Sequence, residues 1–505
     1  MSPHRDPKRR FDRASVDYYT AYKGIRNRLR KYKPASVLSR ALEVLWQPAE
    51  SKFAELQRAP WNVLLLVKWA LLDRHSSDKL GCDMPMEAFD AIRQELWSFP
   101  DRVDMVRKGT MPARLFLRRM LFQQIEFQRR ITPGFVRQPA LLGSLAGEHP
   151  LRNLFRSKAG LEPLDFLDLG LAAYGPILEG KAQMARAWFE PLLNAYGAEK
   201  INAFLRCISA DYSQVTVFMR SLPDAEGRKA SEYFQFTPLK RRPFLRSQGV
   251  YQCWHPMVFL RGMEEFAHLI MSEAGAEYVE RFSKVFERHV VAEVERAGLH
   301  HYDEAALRKI FGDMLELPDA VIPMGDYNIM VEAKAGLFYD SIMAIGDPEI
   351  LRHKTKALAK AIGQGWSAAV AFQSHRAPAD LKKAKEDYLF VVTNKPVNVG
   401  SGADLKAVYP KGQLSYPTDQ ARVLLPLERI YFVSVDEFER LAASASDANV
   451  LHAFLQETVR LDANPATGKA FFEDHLRTFP GQRESNFLTS ALEAAHARLE
   501  YALNE

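Results

Sequence analysis

The stretch Leu317-Pro318-Asp319-Ala320-Val321-Ile322-Pro323-Met324-Gly325-Asp326-Tyr327-Asn328-Ile329-Met330-Val331-Glu332-Ala333-Lys334 holds two apolar runs separated by Gly325-Asp326. Glycine at the first central position of a two-residue loop accepts the backbone of a type II′ turn, so the runs are expected to pair as a β-hairpin. That turn fixes the register. Met324 falls opposite Tyr327, Ile322 opposite Ile329, Ala320 opposite Val331, and Asp319 opposite Glu332. Strand alternation then puts Lys334 on the face of Glu332, and leaves Ala320, Ile322, Ile329 and Val331 on the other face as a core surface.

Two carboxylates opposed across a sheet, roughly 5 Å apart, repel one another and weaken the pairing. A hard divalent cation removes the conflict, because Mg²⁺ or Mn²⁺ takes oxygen ligands from one or two carboxylates and keeps positions for water and a phosphate. Asp319 and Glu332 are therefore candidate metal ligands, with the backbone carbonyl of Ala333 as a third. Such a site can generate hydroxide and hold the charge of an in-line phosphoryl displacement. Lys334 would place the attacking water and support the developing charge. Asp319, Glu332 and Lys334 are thus the candidate catalytic residues.

The flanking sequence predicts an amphipathic helix over 276–297, strands over 315–323 and 328–335, and a helix over 348–372 opened by Asp347 as N-cap and Pro348. Strand-like runs follow at 388–393 and 430–435, the second leading into a helix near Asp436. In this setting Pro318-Asp319, twelve residues, then Glu332-Ala333-Lys334 resembles the PD-(D/E)XK nuclease superfamily of restriction, repair and phage-defence enzymes. The resemblance implies a core of helix, β-meander, helix and strand, an order that 276–393 can supply. Members often carry a further acid in a Phe-Glu context on the first helix, which points to Phe286-Glu287 and makes Glu287 a fourth catalytic candidate. They also place basic or Gln residues on the second helix near the scissile phosphate, here Lys356, Lys360 and Gln364, spaced by four. The bland alternatives are a boundary charge for Glu287 and a solvated helix face for the lysines.

The fold class expected is mixed. A large, mostly α-helical N-terminal region precedes an α/β restriction-endonuclease-like domain, and a helical C-terminal tail follows. The expected units are a basic arm (1–33), a helical recognition or sensor region (34–274), the nuclease domain (275–444) and the helical C-terminal region (445–505). Length alone suggests roughly three domains. The chain has 505 residues, 47% hydrophobic and 26% charged, the composition of an ordinary globular protein. Its net charge of +6 is concentrated at the start, where 1–33 carries eleven Lys/Arg against three acids. Tyr18, Tyr19, Tyr22 and Tyr32 interleave with these cations, a pattern suited to a nucleic-acid-contacting arm or to a solvated terminus. A second basic cluster, Lys240-Arg241-Arg242, is a candidate phosphate contact or a surface loop. Cys82, Cys207 and Cys253 are too dispersed for a Cys-x-x-Cys metal pair and fit a reducing cytoplasm. No apolar run opens the chain, and the longest, Trp61–Leu72, is too short to span a bilayer, so neither a secretory signal nor a membrane is expected.

These readings converge on a cytoplasmic, Mg²⁺- or Mn²⁺-dependent endonuclease acting on DNA or RNA, tRNA included. By analogy with superfamily members it would be a stand-alone bacterial phage-defence effector, answering a phage-derived or other protein trigger and pairing as a homodimer. The alternative class is a catalytically inactive nuclease fold serving as a nucleic-acid-binding module. Gly468-Lys469 lacks the first glycine and the Ser/Thr of a phosphate loop, and adjacent His300-His301 cannot chelate one zinc from a helix face.

Overall fold

Three- and four-residue apolar spacing through the first half of the chain produces helices in the computed structural model. It describes residues 17–48, 50–73, 80–103, 113–128, 133–222, 230–336, 340–344, 348–410 and 412–504. Helix α1 (Tyr18–Leu29) buries Tyr18, Tyr22, Ile25 and Leu29, so two of the tyrosines expected to stack on bases are core residues instead. Tyr22 packs edge-on against Trp69 at 5.0 Å. Of the basic arm, residues 1–16 lie outside the described residues, while Arg30 pairs with Asp73 at 2.5 Å. Helix α2 (Pro60–Leu72) is buried throughout Asn62–Leu72, Lys68 included. Its ammonium sits 2.9 Å from Glu232, whose carboxylate also accepts from Tyr18 and Trp69. A buried cation is tolerable because it is paired.

Helices α3 (Ala113–Gln128) and α4 (Pro133–Ser144) continue this region. A small sheet interrupts it, with β1 (Gln183–Ala185), β2 (Ser209–Asp211), β3 (Phe244–Ser247) and β4 (Val250–Cys253) in the order β1-β4-β3-β2. Sequence reasoning missed these strands, since three or four residues carry no legible two-residue period. Helix α5 (Pro256–Met271) follows, started by the His255 side chain accepting from the Met257 N–H.

Next come helix α6 (Ala276–Arg296), β5 (Tyr302–Asp303), helix α7 (Glu304–Phe311), β6 (Ala320–Pro323) and β7 (Tyr327–Lys334). Helix α8 (Lys356–Phe372), β8 (Glu386–Thr393), β9 (Ile430–Ser434), helix α9 (Val435–Ser444) and helix α10 (Asn486–Asn504) complete the chain. The larger sheet has the order β5-β6-β7-β8-β9, antiparallel through β7 and parallel beyond it. Its hairpin pairs Ala320 with Val331 and Ile322 with Ile329, the register the turn dictates, and Gly325 takes φ +89°. The first strand is shorter than the apolar run, because Leu315–Asp319 is not paired as strand. The helix expected over 348–372 is two, Pro348–Lys354 and α8, broken at Thr355; Asp347 lies outside the described residues.

Alternation along the strands gives the sheet two covered faces. Ala320, Ile322, Ile329, Val331, Phe390 and Val433 join the large core that runs from Tyr18 to Ala502. Val321, Met330, Leu389, Val391 and Phe432 join a second core built on α8 through Leu358, Ile362 and Trp366. Among the described residues no helix is long and apolar enough to cross a membrane.

A polar network ties the sheet to the helical half. Arg137 on α4, 2% exposed, forms two hydrogen bonds with Glu439 of α9 at 2.7 and 2.6 Å and reaches Asp436 at 2.5 Å. His289 of α6 meets the same Glu439 at 2.7 Å. The paired charges offset burial, and the Glu439 carboxyl is held down to about 2.

Within the sheet, Asp387 of β8 lies opposite Asn328 of β7 and accepts its side-chain N–H at 2.9 Å. Burial pushes the Asp387 carboxyl up to about 7. Between the unfolded value near 4 and this raised one, the unfolded chain ionises while the folded chain keeps its proton. Stability should therefore fall as pH rises from about 4 to about 7. Asp387→Asn removes this dependence and is expected to stabilise at pH 8 by on the order of 2 kcal/mol, with little change at pH 4. Thermal melts across that range check it, and parallel curves for the two proteins would count against it.

Candidate active site

Pro318-Asp319 leads into β6, and Glu332 and Lys334 end β7 on the face turned toward α8. Ala333 donates its backbone N–H to Asp319 Oδ2 at 2.6 Å, which locks the carboxylate across the hairpin at the level of Glu332. Glu304, at the first position of α7, donates its N–H to the Asp319 carbonyl at 3.0 Å. Glu287 arrives from α6, whose Phe286, Val290 and Val294 are fully buried against the sheet's other side. Carboxylate oxygens of Glu287, Glu304 and Asp319 lie within 4.8 Å of one another.

The electrostatics are those of crowded acids with too little compensation. Burial, then the neighbouring Glu332 and Glu287 charges, pushes the Asp319 carboxyl well above the usual range. Burial likewise raises Glu332, although Lys334, Gln364 and the Asp319 backbone favour its ionised form. Glu287 is raised by burial and by Glu304. Lys334 Nζ is in direct contact with Glu332 Oε1; the lysine is 21% exposed and the glutamate 2%. The cation thus stands at the open side with its partner beneath it. Glu332 Oε2 is buried and has no hydrogen-bond partner among the described residues. An orphaned carboxylate oxygen beside three converging acids is an oxygen-rich set fitting a hard divalent cation such as Mg²⁺ or Mn²⁺.

No family model, no curated protein and no solved structure matches this chain.

Asp319, Glu332, Lys334, Glu287 and the Ala333 backbone are therefore brought together, and Gln364 of α8 joins them beside Glu332. Lys360 pairs with Glu316 at 3.0 Å on the surface, and Lys356 is exposed another turn back. Lys240 does not offer its charge to a phosphate at the surface: it is 8% exposed and bonded to Glu265 at 2.9 Å. Arg242 donates to the Cys207 carbonyl and lies over the Phe218 ring, while Arg241 is half-buried beside them. None of the three reaches toward Asp319. Glu304 was missed by sequence reasoning, although Asp303 as N-cap followed by an acid is a legible helix start. Its distance from Glu332 in sequence hides its place in the cluster.

Proposed function

We propose that this chain is a divalent-metal-dependent nuclease whose α/β unit belongs to the PD-(D/E)XK superfamily. The observation that carries the reading is the convergence of Asp319, Glu332, Glu287 and Glu304 around the end of one hairpin, with Lys334 at the mouth. Asp319, Glu332 and Glu287, with Glu304 and the Ala333 carbonyl, would hold Mg²⁺ or Mn²⁺. A bound cation of this kind supplies activation of water and charge neutralisation at a phosphodiester. The chain's own contribution is placement. Glu332 anchors the Lys334 ammonium, which faces the phosphate oxygens and stabilises the negative charge that develops on them. Gln364 steadies Glu332 from α8.

A groove on the helix that carries Glu287 supports a polymeric anion as substrate. Arg281, Lys284 and Arg288 of α6, with His149, Glu277 and Glu280, line an open groove of about 390 Å³. Arg281 and Lys284 are partly neutralised by Glu277 and Glu280, whereas Arg288 has no carboxylate partner among the described residues. The narrower role, a phage-defence effector answering a protein trigger and working as a homodimer, rests on the sequence resemblance alone.

Incubation of plasmid DNA and bulk tRNA with the protein, with Mg²⁺ or Mn²⁺ and with EDTA, tests the proposal. Metal-dependent cleavage of one polymer is expected, falling about 10²–10³-fold in Lys334→Ala as for loss of a transition-state donor. Binding without cleavage of either polymer, unchanged by EDTA, would instead favour a catalytically silent binding module.

A further inference from the structure

A cavity of about 810 Å³ opens in the helical half, between the end of helix Tyr212–Ser221, the turn at Lys240–Arg242 and α5. This is the size range of small-molecule sites. One part of its wall is cationic. Lys240 shares the single Glu265 carboxylate with Lys395, at 2.8 and 2.6 Å respectively, so that acid is already over-compensated. Arg241 and Arg242 add two guanidinium groups with no carboxylate partner within ion-pair distance among the described residues. Burial lowers the affinity of Arg242 for its proton, an effect that Glu273 on the same wall opposes. The rest of the wall mixes apolar side chains, Phe218, Phe236 and Ile270 among them, with polar ones such as Gln235 and Glu273. The two halves interleave, for Arg242 lies 5.6 Å from the Phe218 ring and Lys240 5.5 Å from that of Phe236.

Close packing at this turn is built in. A Cβ on Gly262 would come within 2.3 Å of the Lys240 carbonyl, so only glycine lets the cationic turn sit against α5. Paired arginines match phosphate oxygens through forked N–H donors, and apolar ring faces bury a planar base. We propose that this cavity binds a small phosphate-bearing aromatic ligand of the nucleotide class, its phosphates on Arg241 and Arg242 and its ring against Phe218 and Phe236. The acidic cluster at the hairpin is not involved, so the site stands independently of the nuclease reading.

Isothermal titration of the 505-residue chain in EDTA with ATP, AMP, adenosine and inorganic pyrophosphate tests it. ATP or AMP should bind saturably at one site, and more tightly than adenosine or pyrophosphate, which each carry half of the recognised chemistry. Arg241→Glu should weaken nucleotide binding at least about tenfold. Ser221→Trp, placed at the exposed rim of the cavity, should weaken it by steric filling, with both variants melting like the parent. Lys334→Ala should bind as the parent does. Absence of saturable nucleotide binding, equal affinity for pyrophosphate and ATP, or a folded Arg241→Glu protein with unchanged affinity overturns the proposal.

Discussion

Asp319→Asn is expected to abolish metal-dependent cleavage and, in EDTA at pH 8, to leave the protein more stable than the parent. Both effects have one cause. Asp319 is a buried carboxyl facing Glu332 and Glu287, and its affinity for a proton is raised by burial and by those charges. A group whose folded pKa lies above its unfolded one contributes an unfavourable term that grows as pH rises past the unfolded value. Asparagine still accepts the Ala333 N–H but carries no charge, so the term vanishes; a gain on the order of 1–3 kcal/mol is the scale for relieving such a pair. Mg²⁺ should reverse the order. A cation bound only by the folded parent stabilises it by about 2.7 kcal/mol at a hundredfold excess over its Kd, and Asp319→Asn should gain far less. Melting curves in EDTA and in Mg²⁺ decide the matter. Were the variant less stable in EDTA, and equally responsive to Mg²⁺, the acidic pair would not be the cation's seat.

Arg137→Met should produce the largest loss of stability, about 3–5 kcal/mol, as expected when one partner of a buried ion pair is removed. Among the described residues, Glu439, fully buried, would keep only His289 as an ion-pair partner, and Asp436 would lose its ion pair with Arg137. Methionine fills most of the volume, so the loss reports the charge and not a cavity. Adding Glu439→Leu should recover part of it, because the orphaned charge disappears with its partner. Denaturant titration of the parent, single and double variants measures the coupling. A single-variant loss under about 1 kcal/mol, or a double variant weaker than the sum of its parts, would mean the network contributes little. His289 and Glu293 lie on the helix that carries Glu287, so the same contacts hold one wall of the candidate site in place.

The hairpin was legible because its information is local. Gly325 sets the turn, the turn sets the register, and a two-residue period sets the faces, so the meeting of Asp319, Glu332 and Lys334 needs nothing beyond residues 319–334. The helix bearing Glu287 was legible for the same reason, its apolar stripe repeating over 21 residues. The small sheet was not, since strands such as Gln183–Ala185 acquire their identity only from partners some 70 residues away. Nor was the fate of Lys240 or Tyr22. A cation or an amphipathic ring in sequence carries no mark of whether it will be buried against a partner or left in water.

The sequence by itself determined the local periodicities, and with them the hairpin, the helices of both halves and the pairing of two acids with a lysine. Tertiary structure alone decided that Glu304 joins that cluster, that Lys240 is spent on Glu265, and that a cavity opens beside Arg241. Short-range backbone geometry fixes the first set, whereas the second depends on which distant surfaces bury one another, and burial is what turns a charged side chain into a partner, a ligand or a liability.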